Sequence, residues 1–247
     1  MGIPQHFSLE VPQRCLTLLD ELWPDVEGVY HKRSQRLGPL TTTFLLAMAY
    51  PILNLPIERI GAHLDKSDHE DYADDRRITP ELTSKIRNVF GNAKLETAPF
   101  IVKGVWSYVR IPRDRLFNLA DGIPPEVAKR LAEETSLRNA ESMKTLSWAQ
   151  SLRNALAHGG VAYLDAKGEH THEEQPAKMF AFVSGEYEYG VRPHKLVGMK
   201  ILRVTERDFK DFLRRWVGWL SETSAVELMK DFRTEPTLSF YAASSSP

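Results

Sequence analysis

The chain has 247 residues and a formal net charge of −1, from 32 Lys+Arg and 33 Asp+Glu. Apolar residues make up 42% and charged residues 26%, which excludes a disordered chain, a collagen and a simple coiled coil. The single cysteine, Cys15, excludes an internal disulfide and a cysteine-based zinc site. The near-neutral balance means that nucleic acid would be held by a local patch rather than by the overall field.

The opening Met1-Gly2-Ile3-Pro4-Gln5-His6 has no basic stretch followed by an apolar run, so no secretory signal is read there, and it lacks the Ser or Thr at position 6 that myristoylation requires. The most apolar stretch, Phe44 to Ile57, is too short to span a bilayer and carries Pro51, Asn54 and Pro56. The expectation is a soluble, cytoplasmic protein without a membrane partner.

Leu16, Leu19, Leu22, Trp23 and Val26 recur at helical spacing and predict a first helix from about Pro12 to about Gln35, with a kink at Pro24. The basic cluster His31-Lys32-Arg33 and Arg36 suits its C-terminal end, and Gly38-Pro39 stops it. Thr41 to about His63 is apolar nearly all round and reads as a central helix, bent or interrupted by two prolines. The run Asp65 to Asp75 reads as a solvated acidic loop. Thr79-Pro80-Glu81 is a helix start, with Thr79 as cap and Pro80 in the first turn, and that helix should reach about Phe90. Phe100 to Ile111 reads as a strand or short buried segment.

A long helical zone is expected from Pro124 to His158, bent near Arg138-Asn139 and closed by Gly159. The period then changes. Val161–Leu164, Met179–Val183 and Leu196–Val204 alternate as strands of a small antiparallel sheet, with a polar loop from Asp165 to Pro176. Thr205-Glu206-Arg207-Asp208 caps a last helix, about 206 to 223, whose Phe209, Phe212, Leu213, Trp216, Val217 and Leu220 share one face. Ala242 to Pro247 read as a loose tail.

The chemistry concentrates in Ser147 to Gly160. At about 100° per residue, Gln150, Asn154 and His158 form one helical row, flanked by Ser147 and Ser151. Trp148, Leu152, Ala155 and Leu156 lie elsewhere, toward the core. Arg153 is offset from Asn154, but its long stem lets the guanidinium swing toward the row. A histidine can give or take a proton at physiological pH. An arginine can hold a phosphate and offset charge developing on its oxygens, and Asn154 can orient a phosphate oxygen or the imidazole. Such a set suits RNA cleavage in which the substrate's own 2′-OH attacks the adjacent phosphate. The protein then supplies proton transfer, anion stabilisation and in-line geometry. With one convincing histidine per chain, twofold symmetry would supply a second copy of His158.

Arg153-Asn154-Ala155-Leu156-Ala157-His158, with an apolar residue before it and Gly159 after it, resembles the R-x4-6-H signature of the HEPN superfamily (higher eukaryotes and prokaryotes nucleotide-binding). Leu55-Pro56-Ile57-Glu58-Arg59-Ile60 is similar to a plasmid-encoded HEPN nuclease subgroup. The likeness covers about half the chain, the helical zones. It implies a homodimeric, metal-independent endoribonuclease of bacterial defence, toxin–antitoxin or stress systems, with Arg153 and His158 as the catalytic pair and Asn154 as the polar neighbour of the arginine. The fold expected is mainly α: a HEPN-like helical bundle with an inserted segment and a small antiparallel sheet before the last helix. This would be a single domain over 1–247, with 65–122 an irregular insertion and 161–204 the β element. The partners expected are RNA, a second copy of the chain completing a composite active site, and an antitoxin or regulatory protein; no cofactor or metal is called for.

Each feature also has a plainer reading. Arg153 and His158 could be a surface arginine and a capping histidine, or the fold could bind RNA or nucleotide without cutting it. Ser136-Leu137-Arg138-Asn139-Ala140 repeats Ser151-Leu152-Arg153-Asn154-Ala155 but has Met143 where the second copy has His158, and reads as a decoy. His170-Thr171-His172-Glu173-Glu174 reads as a solvated loop rather than a metal site, and the acidic run from Asp65 lacks the spacing of a calcium loop. The groups His31/Lys32/Arg33/Arg36, Arg76/Arg77, Arg110/Arg113/Arg115 and Arg214/Arg215 read one by one as solvated faces, or together as an RNA track. Trp216 and Trp219 read as core or dimer contacts, and Glu58 and Arg59 could approach the site.

Overall fold

Two long helices open the fold and pack against each other: α1 (Phe7–Arg33) and α2 (Leu40–Leu64). The computed structural model describes residues 7–33, 40–64, 80–171, 176–188 and 195–234. The acidic run Asp65 to Asp75, Thr79, Arg36, Arg76, Arg77, His172, Glu173, Glu174 and the tail from Ala242 lie outside the described residues, as do the side chains of His31, Lys32 and Arg33. Helix α1 begins at Phe7 rather than Pro12, and continues through both Pro12 and Pro24. Leu19 is fully buried, with Leu16 and Trp23 packed beside it.

Leu45, Ala49, Ile52, Leu53, Ile57 and Ile60 of α2 all belong to the main core. Over Leu40–Gly61, 22 residues at a mean hydropathy of 1.5, this helix is long and apolar enough to cross a membrane, a longer stretch than Phe44 to Ile57. The helix also runs through Pro51 and Pro56. A proline has no N–H to give to the carbonyl four residues back. For Pro56 that carbonyl is Ile52, and the buried indole Nε1–H of Trp216 donates to it at 3.0 Å. The chain bonds an orphaned acceptor from a distant helix instead of ending α2.

Helix α3 (Pro80–Phe90) has the expected bounds. Its Phe90 meets Phe100 at 5.9 Å and Trp216 at 6.1 Å between ring centroids. The aromatic network continues through Trp148, which stacks on Phe100 at 6.3 Å and meets Trp106 edge-on at 5.0 Å.

The zone from Pro124 to His158 is three helices rather than one bent helix: α4 (Pro125–Ala132), α5 (Glu134–Ser142) and α6 (Thr145–Ala157). The breaks fall at Glu133 and at Met143-Lys144, where the backbone is extended, and not at Arg138-Asn139. At the second break the chain leaves the helix to pair with another segment. Leu95 N–H donates to Met143 C=O at 2.8 Å and Thr145 N–H to Ala93 C=O at 3.0 Å. At the first, the Ser136 hydroxyl bonds the carbonyls of Leu131 (2.8 Å) and Glu133 (2.7 Å), the local competition with helix bonding for which serine is suited.

Four antiparallel strands, β1 (Ser107–Pro112), β2 (Val161–Leu164), β3 (Met179–Tyr187) and β4 (Leu196–Thr205), form one sheet in the order β1-β4-β3-β2. Its two faces are both buried. Phe180, Phe182, Leu202 and Val204 join the main helical core, while Ala181, Val183, Ile201, Val109 and Ile111 form a second core with Val127 and Leu131 of α4. This overturns the expectation of a mainly α, HEPN-like bundle carrying a small appended sheet: the fold is mixed α/β. The physical reason is that alternate residues along β3 and β4 are apolar on both sides, so the sheet is a layer between helices, not a decoration on one face of a bundle. The edge strand β1 comes from within the 65–122 insertion, at the end of the stretch Phe100 to Ile111 that read as a strand or short buried segment. Helix α7 (Glu206–Thr234) closes the described chain, and the Thr205 oxygen caps it by accepting from Asp208 N–H at 3.0 Å.

Candidate functional site

Helix α6 buries Trp148, Ala149, Leu152 and Ala155, which leaves Gln150 exposed and Arg153 and Asn154 half-buried. It ends as the sequence suggests. Gly159 has φ +69° and its N–H bonds Leu156 C=O at 3.4 Å, while Gly160 N–H bonds Ala155 C=O at 2.8 Å. This paired closure leaves His158 as the capping residue, with its side chain exposed. Gly160 also accepts from Val183 N–H at 2.7 Å, and a Cβ on it would lie 2.1 Å from Val183 O. Close backbone contact with β3 therefore fixes the end of the helix that carries His158.

The Arg153 guanidinium is held on two sides. Nη1 donates to Asn154 Oδ1 at 2.8 Å, and Nη2 pairs with the carboxylate of Glu58 on α2. Glu58 thus does approach the Arg153 side chain, as the sequence allowed. The Arg153 side chain is 30% exposed and that of Glu58 52%. An ion pair so open to water is worth less than about 1 kcal/mol, and together the two contacts leave three of the five N–H donors of the guanidinium for an incoming phosphate.

The other side of the polar row opens onto a cavity of about 500 Å³. From α6 it is lined by Ser147, Gln150, Ser151 and Asn154. From the sheet it is lined by Arg110, Ser184, Glu186, Tyr187 and Lys200. Strand register explains this wall. Arg110 pairs with Lys200, and Lys200 with Ser184, in one row across β1, β4 and β3. By strand alternation they lie on the same face as Phe182 and Leu202, beyond its apolar half. The Glu186 carboxylate accepts from Arg110 Nε at 2.6 Å and lies 3.8 Å from Lys200 Nζ, which in turn donates to Ser147 Oγ at 3.4 Å. Burial, and then the Glu186 carboxylate, push the neighbouring Tyr108 hydroxyl above its ordinary pKa, with Arg110 opposing.

The structure therefore gathers Ser147, Gln150, Ser151 and Asn154 on one cavity wall. It places Arg153 beside that wall, bonded to Asn154, and leaves His158 at the exposed helix end; neither Arg153 nor His158 lines the cavity. Lys200, Ser184, Glu186 and Tyr187 went unnoticed in the sequence. For Ser184 and Glu186 the signal is the switch from apolar to polar along Phe180, Phe182, Ser184 and Glu186, read two residues at a time, and for Lys200 the same step from Leu202; Tyr187, past a register shift, has no such signal.

The remaining candidates fall elsewhere. Arg138 of the decoy faces Glu134 at 3.8 Å on α5. Trp216 is fully buried and Trp219 packs against the same core. Arg214 is paired with Asp20 and Asp211, and Arg113 and Arg115 are exposed. His170 is exposed beside Gly122, and among the described residues no three His, Cys, Asp or Glu are grouped to hold a metal ion. Comparison with family models, with curated proteins and with solved structures finds no match to this chain.

Proposed function

We propose that this protein is a metal-independent endoribonuclease that acts as a homodimer. The observation that carries the reading is the Arg153 guanidinium, held near the surface by Asn154 of its own helix and by Glu58 of α2, with exposed His158 at the end of α6. The resemblance of Arg153 to His158 to the HEPN signature supports the same assignment, without the helical bundle that it had suggested. In this scheme Arg153 binds the scissile phosphate and offsets the charge that builds on its oxygens. Asn154 orients the guanidinium. The substrate 2′-OH attacks the adjacent phosphorus and yields its proton to His158. The bond to the 5′-oxygen breaks, and that oxygen takes a proton from the second copy of His158. The products are a 2′,3′-cyclic phosphate and a 5′-hydroxyl. Bacterial defence, toxin–antitoxin or stress response in the cytoplasm, with an antitoxin or regulator as partner, is the setting this reading implies.

End analysis of RNA incubated with wild type and with His158→Ala tests it. The expected result is 2′,3′-cyclic ends from wild type alone, with the variant still dimeric. The cavity, which takes in Asn154 and Gln150 but not His158, favours a second reading as a non-catalytic nucleotide- or RNA-binding module. RNA bound but left whole by both proteins selects that reading.

A further inference from the structure

The cavity between α6 and the polar end of the sheet has chemistry of its own. Its volume, about 500 Å³, is in the range of small-ligand sites. Two cations, Arg110 and Lys200, share one carboxylate, Glu186, which leaves an excess positive charge on the sheet wall. Arg110 gives Nε–H to that carboxylate, one of the five N–H donors a guanidinium carries. On the opposite wall stand two side-chain amides, Gln150 and Asn154, each with a donor and an acceptor. Asn154 Oδ1 already accepts one bond from Arg153, and its two Nδ2–H donors remain to meet a ligand. Tyr187, 50% exposed, closes the lining; its ring lies over Gly185, where a Cβ would meet ring atom Cε2 at 2.7 Å. Ser151 Oγ donates to Ser147 C=O within α6, so the hydroxyls there are partly committed already. Paired amides match the mixed donor and acceptor edge of a nucleobase, an aromatic ring offers it a stacking surface, and the arginine–lysine pair matches a phosphate.

We propose that this cavity binds one nucleotide unit, base against Gln150, Asn154 and Tyr187 and phosphate against Arg110 and Lys200, either as a free nucleotide or as a residue of single-stranded RNA. The link of this pocket to cleavage, through Asn154 and Arg153, rests on the endoribonuclease reading; the binding itself does not.

The test is a binding titration of the protein as wild type, Gln150→Ala and Tyr187→Ala. The probes are the four nucleoside 5′-monophosphates, the four parent nucleosides, and fluorescent single-stranded oligonucleotides made uncleavable by 2′-O-methylation. Gln150 and Tyr187 are exposed, so their truncation leaves the core intact. The expected result is saturable binding that weakens roughly five- to hundredfold in Tyr187→Ala and also falls in Gln150→Ala, and is tighter for nucleotides than for nucleosides. Binding of monophosphates alone identifies a free nucleotide as the ligand; binding of oligonucleotides that monophosphates displace identifies an RNA residue. No binding of any probe, equal affinity in wild type, Gln150→Ala and Tyr187→Ala, or nucleosides bound as tightly as nucleotides would overturn the proposal. Binding as expected without cleavage leaves this inference standing and removes the endoribonuclease reading; cleavage without these effects does the reverse.

Discussion

Arg153 is held between Asn154, its neighbour in sequence, and Glu58, 95 positions away on another helix. Because the Glu58 pair is open to water, Glu58→Gln should change folding stability by less than about 1 kcal/mol, read by denaturant titration. The same substitution removes one of the two partners that aim the guanidinium. Cleavage of RNA should therefore fall roughly ten- to hundredfold in rate, the cost of misplacing a group that must meet a developing charge. A large stability loss would assign Glu58 a structural role instead. Sequence made Arg153, Asn154 and His158 visible because they lie within six residues at the end of one helix. It left the Glu58 contact as an alternative only, because a pairing across so many residues depends on how α2 and α6 cross.

Two features of individual elements carry further expectations. The Trp216 indole N–H replaces the bond that Pro56 cannot give to Ile52 C=O. Trp216→Phe keeps most of the buried ring but leaves that carbonyl unpaired, and should cost about 2 kcal/mol or more on thermal or denaturant unfolding. An unchanged midpoint would mean that the carbonyl finds another donor. At the other end of the site, Gly160→Ala places a Cβ 2.1 Å from the Val183 carbonyl oxygen. The backbone of β3 cannot swing away as a side-chain tip can, so a loss of about 1–3 kcal/mol is expected, with reduced cleavage because the His158 end of α6 is displaced. The start of α3 and the starts of β2, β3 and β4 were legible from a proline cap and from period-two alternation. The breaks at Glu133 and Met143-Lys144 were not. No glycine or proline marks them; they arise where the 93–95 segment and Ser136 claim backbone groups that a continuous helix would have used.

Across the whole molecule, the sheet is the layer that the sequence understated. Each strand run was short enough to look like an appendage, and only the pairing of β1 with β4, between residues far apart in the chain, makes it a buried layer with helices on both faces. Where this layer joins α7 lies half-buried Glu206. Burial is the main push holding its carboxyl above the ordinary 4.5, while Lys178 and Lys210 pull it down and Glu27 pushes it up. The folded protein thus binds this proton more tightly than the unfolded chain. The contribution to stability is fully present below 4.5 and is lost as pH rises through the folded value. Glu206→Gln should therefore gain stability relative to wild type between about pH 4 and pH 7, read as the difference in Tm at each pH. A difference that stays flat or shrinks over that range would contradict the assignment.

The central claim is that one imidazole and one guanidinium of each protomer cut RNA together. Single-turnover cleavage of one RNA by wild type, Arg153→Ala and His158→Ala, each with and without EDTA, measures it most directly. Both variants should lose at least about a hundredfold in rate, as expected when a proton-transfer group or a transition-state cation is removed, and chelation should leave the wild-type rate unchanged. A cleavage activity that survives His158→Ala and disappears on adding EDTA would contradict the account.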